Sequence, residues 1–329
     1  MTSIVDPGQT VLHGLPGYEG ANIRTWIGFK HFMYLVEAAI LKHFRDRGFG
    51  ARDLYQRHGL GLEIVDCSVQ LPQALEVDDE VAVTIEPATR QKPGAGAAFT
   101  ARIEIRRRGG QDFAVDGSPT VACKGKVRVA LITEKDAPGA EPIPAELAPF
   151  VLPEVAALAE TPGTAPGDAL PIAPGQVAAD VLTPAGSGSY LWSWRAPYFY
   201  CHFSDRLQHS AYVRAMEEVV DRFLHDRGLA IGALLAERGW IPVVSRARVR
   251  LLADVHMEET VHTVFTVQDF LKDISYTASF DTYVRRGDQL VHTATGSIMH
   301  GYAISKGPNA GTVAVLDEST KNKLWGDRS

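Results

Sequence analysis

Cysteine is scarce in this chain of 329 residues. Cys67, Cys123 and Cys201 are its three cysteines, and their wide spacing gives neither a disulfide framework nor a zinc-ligand pattern. Long apolar runs are missing as well. No stretch of about 18 residues is apolar throughout, so no spanning helix and no membrane partner are expected. The opening MTSIVDPGQT lacks a basic segment followed by an apolar one. No secretory signal is therefore expected, and the expected location is cytoplasmic. Positive charge is not in excess: 33 Lys and Arg stand against 39 Asp and Glu, a net charge of −6, which argues against a nucleic-acid partner. The chain also has no P-loop, dinucleotide-binding glycine fingerprint, G-x-S-x-G elbow or H-E-x-x-H pair, so no metal and no redox cofactor is expected.

What is present centres on residues 198–228, YFYCHFSDRLQHSAYVRAMEEVVDRFLHDRG. An aromatic, strand-like run from Tyr198 to Phe203 leads into a polar break. Tyr212, Ala215, Met216, Val219 and Phe223 then recur at the spacing of one helical face. Gly228 stops that helix, with Arg227 in its last turn. Residues 31–47 are apolar on nearly every face and predict a buried helix ending at Gly48. The two helices belong to one repeated unit. Asp46-Arg47-Gly48 answers Asp226-Arg227-Gly228 at an offset of 180. Glu37 answers Glu217, and Val69 and Leu71 answer Val249 and Leu251, at the same offset. Phe99-Thr100-Ala101 answers Tyr276-Thr277-Ala278 at 177, a slip that fits the longer Gly/Pro loop 91–97 of the first copy. A constant offset through a helix and two strands argues for internal duplication.

Each copy is predicted to run strand, helix, four strands. In the second copy the strands fall at 243–252, 260–270, 275–285 and 289–303, with Arg286-Gly287-Asp288 as a hairpin turn. Long strands with short turns and no strand–helix alternation predict an α+β fold of antiparallel sheets, each curled round its helix. The units are bounded at 1–133 and 187–306, with a Pro/Ala/Gly-rich linker at 134–186 and a polar, loosely held tail at 307–329. The segment 1–20 reads as an irregular arm, 22–29 as a strand, and the apolar piece 149–158 as a short surface helix.

Asp205 and His209 fall in the loop feeding the second helix, where amide N–H groups and the positive end of the helix dipole point outward. A base beside ready-made oxyanion donors suits carbonyl chemistry. Asp205 also reads as an ordinary cap or turn residue, His209 as a half-exposed residue at a helix start, and Tyr212 as a packing residue. Glu217 and Glu218 project about 100° apart, so they cannot both face inward; Glu217 is a second candidate carboxylate. Arg246, Arg248 and Arg250 share one face of a strand, as a solvated surface or as a phosphate-binding row. At the repeat offset, Thr25 and Phe29 stand where the second copy has Asp205 and His209, so the first copy is expected to be catalytically silent.

Asp205, His209, Tyr212 and the long helix after them resemble the signature of hotdog-fold thioesterases, and the duplicated unit resembles a tandem, double hotdog. The resemblance covers about residues 20–132 and 187–303. It implies hydrolysis of an acyl thioester of coenzyme A or of an acyl-carrier protein. Asp205 would be base or nucleophile, with His209 positioning water or substrate. N–H groups near His209 and Ser210 would hold the oxyanion, with Tyr212, Arg246 and Arg248 in substrate binding. The loop is similar to that of acyl-carrier-protein thioesterases, which carry Asp-x-Asn-x-His. Here Asp205 and His209 keep the spacing, Leu207 stands for the Asn and Gln208 for a common Gly. Some hotdog thioesterases use a helix glutamate, which is Glu217 here. A double-hotdog enoyl-CoA hydratase is a second reading, from whose Gly-Asp-x-Asn-Pro-x-His pattern this chain departs at Ser204, at the Asn-Pro and in the His spacing. A non-catalytic acyl-thioester-binding scaffold is a third. Two fused copies stand in for a hotdog dimer, so a monomer or a homodimer is expected.

Overall fold

The computed structural model describes residues 3–326, apart from 93, 109, 110, 113–118, 159–168 and 204. Its main elements in chain order are β1 (Thr10–Gly14), α1 (Phe29–Asp46), α2 (Ala51–His58), β2 (Leu60–Gln70), β3 (Glu80–Pro87), β4 (Ala97–Arg108) and β5 (Thr120–Thr133). There follow α3 (Ala178–Leu182), β6 (Tyr190–Arg195), α4 (His209–Asp226), α5 (Ile231–Arg238), β7 (Trp240–Leu251), β8 (Thr260–Leu271), β9 (Ser275–Arg286), β10 (Gln289–Ile304) and α6 (Glu318–Trp325).

Helices α1 and α4 are each 18 residues long. In α1 the residues Phe32, Val36, Ala39, Ile40 and Phe44 recur every three or four positions and are buried; in α4 Tyr212, Met216, Val219 and Phe223 do the same. Such a stripe drives a helix onto an apolar sheet face. Both helices end where a glycine takes positive φ, Gly48 at 86° and Gly228 at 66°, a backbone that a Cβ would strain.

The ten long and edge strands of the two halves join one sheet, antiparallel along the order β1-β3-β4-β5-β2-β7-β10-β9-β8-β6. The second half of that order mirrors the first. At its centre β2 pairs with β7, Ser68 opposite Arg248, two positions related by the repeat offset. A pseudo-twofold axis therefore passes between them. Each half wraps five strands about one long helix, with inward residues alternating along the strands as in Tyr276, Ala278 and Phe280 of β9. This is the tandem hotdog that the resemblance implies.

Strand register corrects one part of the repeat. Val129 and His300 face Ile64 and Val244, a pair that keeps the repeat offset. Val129 pairs with Ala97, and His300 with Tyr276. Ala97 therefore answers Tyr276, an offset of 179 rather than 177, and Phe99 answers Ala278. The bulges in β2 and β7 fall at equivalent positions, 180 residues apart, and keep the two halves in step.

The arm at 1–20 holds β1, which pairs with β3 as β6 pairs with β8. In place of one strand at 22–29, the short strands Ala21–Ile23 and Trp26–Ile27 form a hairpin, and Phe29 already opens α1. The aromatic run at 198–203 is the 3-10 turn Tyr198–Tyr200 followed by the strand Cys201–His202. The piece at 149–158 is a strand, Val151–Leu152, flanked by 3-10 turns and laid parallel to β5. The tail is not loose: Asp317 Oδ1 caps α6 by accepting the Thr320 N–H at 2.7 Å, and Leu324 is fully buried. No helix among the described residues is long and apolar enough to cross a membrane.

The Phe223 ring lies 5.0 Å from Phe265 and 6.1 Å from Tyr190 in the second core. Phe223→Ala is expected to cost about 3–5 kcal/mol. The check is a lower urea midpoint at unchanged m-value, with far-UV and fluorescence signals lost together because the sheet is shared.

Candidate active site

The pseudo-twofold axis creates two related places where the start of one long helix meets the middle of the other. The start of α1 meets Glu217 on α4. The start of α4 lies on the side of Glu37, the matching residue of α1. The two have diverged in chemistry.

At the first, α1 begins at an N-cap glycine, Gly28, with no side-chain cap. The Phe29 and Lys30 amides have no hydrogen-bond acceptor among the described residues, as expected for the first turn of a helix. A Cβ at Gly28 would lie 2.5 Å from Asn22 Nδ2 and 3.3 Å from Glu217 Oε1, so only glycine lets both groups sit against the helix start. Asn22 Nδ2 donates to Glu217 Oε1 at 3.3 Å, and Lys30 Nζ donates to Oε2 at 2.5 Å. The carboxylate is thus held from two sides beside open amides. Glu19 draws Lys30 at 3.6 Å and Arg214 at 3.2 Å, and the Arg214 guanidinium lies over the Tyr34 and Tyr200 rings. These groups surround a cavity of about 890 Å³ whose apolar wall includes Ile27, Phe32, Val220, Leu224, Val243 and Ile298. A fixed carboxylate, unpaired amides and an apolar wall together suit a carbonyl group joined to an acyl chain.

At the second place the position answering Val243 is Glu63. Its side chain is 1% exposed and fills the start of α4. Glu63 Oε1 accepts the His209 N–H at 3.2 Å, while Oε2 accepts from His202 Nε2 at 2.6 Å and Arg206 Nε at 3.4 Å. Arg206 also pairs with Glu134, and with Asp254 at 3.6 Å. Burial would raise the Glu63 pKa, but His202, Arg206 and His209 outweigh it and hold the carboxyl below its ordinary value. Burial pulls His202 down, and Glu63 more than reverses that, leaving it raised. Glu37 is pushed up to about 7 by burial and by the Glu63 charge. A carboxylate on the helix dipole with a full set of donors closes this copy of the site.

The sequence candidates divide accordingly. Glu217 is in the cavity. Asp205 is not: its side chain is 57% exposed and meets His256 Nδ1 at 3.2 Å on the outer side of the loop. The reason is local, since the Asp205 carbonyl accepts the Met257 N–H at 2.7 Å and Arg206 bridges His256. The first half makes the same clasp, with Thr25 Oγ1 donating to Glu76 at 3.1 Å. His209 is buried, and burial lowers its pKa; its N–H is taken by Glu63, so the oxyanion donors expected near His209 and Ser210 are not free as a pair. Ser210 is half-buried in the first turn of α4. Tyr212 is 1% exposed and packs in the core rather than contacting a cavity. Arg246 and Arg248 stand on the outer sheet face away from the cavity, Arg248 bidentate to Asp66 at 2.9 and 2.6 Å. Residue matching missed Asn22, Gly28 and Lys30. The first copy is silent as a carboxylate donor, yet it supplies the helix start.

Residues 192–322 match the family model described as thioesterase-like superfamily. No curated protein matches the chain. Among solved structures, the chain is similar to a protein assigned as an oleoyl thioesterase from Lactobacillus plantarum, with 11% identity and a TM-score of 0.58 over 91% of this chain and 97% of that one. It is similar to the 12:0-ACP thioesterase from Umbellularia californica, with 10% identity and a TM-score of 0.56 over 89% and 94%. An acyl-ACP thioesterase from Bacteroides thetaiotaomicron gives 9% identity and a TM-score of 0.53 over 89% and 97%. Likeness at such identity establishes a shared tandem fold.

The raised Glu37 sets a pH dependence. The folded chain holds this proton more tightly than the unfolded one, whose ordinary value is 4.5. The stability it contributes is complete below that value and is lost as pH rises through about 7. Glu37→Gln is therefore expected to stabilise the protein at pH 8 by about 1–3 kcal/mol relative to its effect at pH 4, measured by urea denaturation at both pH values. Arg206→Met leaves buried carboxylates unpaired and is expected to cost about 3–5 kcal/mol in the same assay.

Proposed function

We propose, from a chain whose residues 192–322 match the thioesterase-like superfamily model, that it hydrolyses acyl thioesters of coenzyme A or of an acyl-carrier protein. The observation that carries this reading is the Glu217 carboxylate held at the uncapped start of α1, inside a cavity large enough for an acyl chain.

The chemistry follows from the geometry. The thioester carbonyl oxygen points at the Phe29 and Lys30 amides, which hold the negative charge that develops on it. Glu217 takes a proton from a water molecule as that water attacks the carbonyl carbon. Asn22 and Lys30 keep the carboxylate aimed. The tetrahedral intermediate collapses, the carbon–sulfur bond breaks, and the thiolate leaves with the proton that Glu217 carried. One water and one thioester give one acid and one thiol. The same reading makes one chain a complete catalytic unit, since both helices of the site are its own, and places it in the cytoplasm, which its three free cysteines suit.

A thiol-release assay over an acyl-CoA and acyl-carrier-protein panel tests this. Glu217→Gln is expected to lower kcat by about 10²–10⁴-fold, whereas Asp205→Asn leaves it unchanged. Loss of activity in Asp205→Asn with Glu217→Gln active would move the chemistry to the other loop. Hydration of an enoyl-CoA without thiol release, or binding without turnover, would replace hydrolysis with the hydratase or scaffold reading.

A further inference from the structure

Away from the start of α1, one polar residue of the cavity lining is buried in the second core. His300 on β10 lines the cavity and is 2% exposed. Its Nδ1 has no hydrogen-bond partner among the described residues. Its ring lies 5.1 Å from Tyr276 and 5.4 Å from Tyr302, both fully buried. The two tyrosine hydroxyls lie against one another behind the imidazole. Burial pushes the His300 imidazole down to about 3, so it is neutral and offers one donor and one acceptor nitrogen. Unsatisfied buried polar atoms are costly and seldom kept without a use.

The duplicated half acts as an internal control. Strand register places Val129, Ala97 and Leu131 where the second half has His300, Tyr276 and Tyr302. The same architecture therefore folds with three aliphatic residues at these positions, all buried. The polar trio occurs only in the half whose sheet lines the open cavity. Its distance from the reacting carbon follows from the strand. A Cβ on Gly296 would lie 2.8 Å from Met216 Cε, so β10 passes beneath the residue preceding Glu217. His300 is four positions further on, roughly 13 Å along the strand.

We infer that this cluster selects acyl groups bearing an oxygen substituent, a hydroxyl or a ketone, well away from the thioester, with His300 as the specificity-determining residue. The inference rests on the thioesterase reading for its reaction but not for its binding. An alkyl chain reaching His300 leaves its imidazole nitrogen unpaired. An oxygenated chain completes that hydrogen bond, and a site built to bond an oxygen discriminates strongly against its absence.

The test uses the full chain and octanoyl-, decanoyl- and dodecanoyl-CoA, each unsubstituted, with a terminal hydroxyl, or with a penultimate ketone. For at least one length, kcat/KM is expected to favour an oxygenated chain by about tenfold or more, the hydroxyl and ketone arms separating the two substituents. His300→Leu is expected to abolish or reverse that preference by raising turnover of the unsubstituted chain. Tyr276→Phe, which keeps the ring against the imidazole, is expected to retain it, and thermal unfolding verifies that both variants are folded. Calorimetric binding to Glu217→Gln repeats the comparison without turnover. A tighter oxygenated ligand there supports the inference even if no thioester is hydrolysed. Equal or tighter binding of the unsubstituted chain at every length overturns it, and hydrolysis without preference overturns it while leaving the thioesterase reading intact.

Discussion

The pairing of β2 with β7 is the contact on which the rest of the structure depends. With Ser68 opposite Arg248, the two halves share one sheet and meet about an axis rather than along a linker. Strand register is set by which side chains face the core, and a slip by a single position would turn the buried Cys67, Val69, Ala247 and Val249 outward. The register thus brings the start of α1 against Glu217, and Glu63 against the start of α4. Neither half holds a complete site alone.

The pseudo-twofold arrangement sets up two equivalent places, and their difference is a matter of a few side chains. Where the second half has Val243, the first has Glu63. Valine leaves a cavity, while glutamate reaches the helix start and occupies the amide that a substrate oxygen would use. Once seated, the carboxylate draws in Arg206 and His202, and Arg206 in turn pairs with Glu134, because a buried charge must be paired. The sealed place becomes an ion-paired joint between halves, and the open one keeps its helix dipole available for chemistry. A helix start that carries serine or aspartate as a cap satisfies itself; Gly28 does not, and that keeps the α1 amides free.

Much of the fold was legible in the residues. Helical stripes at 212–223, glycines at 48 and 228 and four long strands after each helix appear close to where spacing puts them, because apolar periodicity and glycine stops act locally. The edge strands β1 and β6 were not legible, since so short a strand is defined by its partner rather than by its own pattern. The tail helix was missed because its few buried residues sit among polar ones. At the site, spacing identified Glu217 but could not separate it from Glu218, which points out to Arg222 at 2.7 Å. Asp205 kept a familiar spacing to His209, yet a turn clasped to Met257 aims it outward, and spacing does not encode that direction. Asn22, Gly28 and Lys30 lie far from Glu217 along the chain, and only the shared sheet brings them together.

The central claim is that the thioester carbonyl is held by the start of α1, with Glu217 beside it. The most direct measurement is a crystal structure of Glu217→Gln with an acyl-CoA bound. The account predicts the carbonyl oxygen within hydrogen-bond distance of the Phe29 and Lys30 amides and the acyl chain in the cavity leading to His300. A carbonyl seated beside Asp205 and His256, or at the start of α4 with Glu63 displaced, would contradict it.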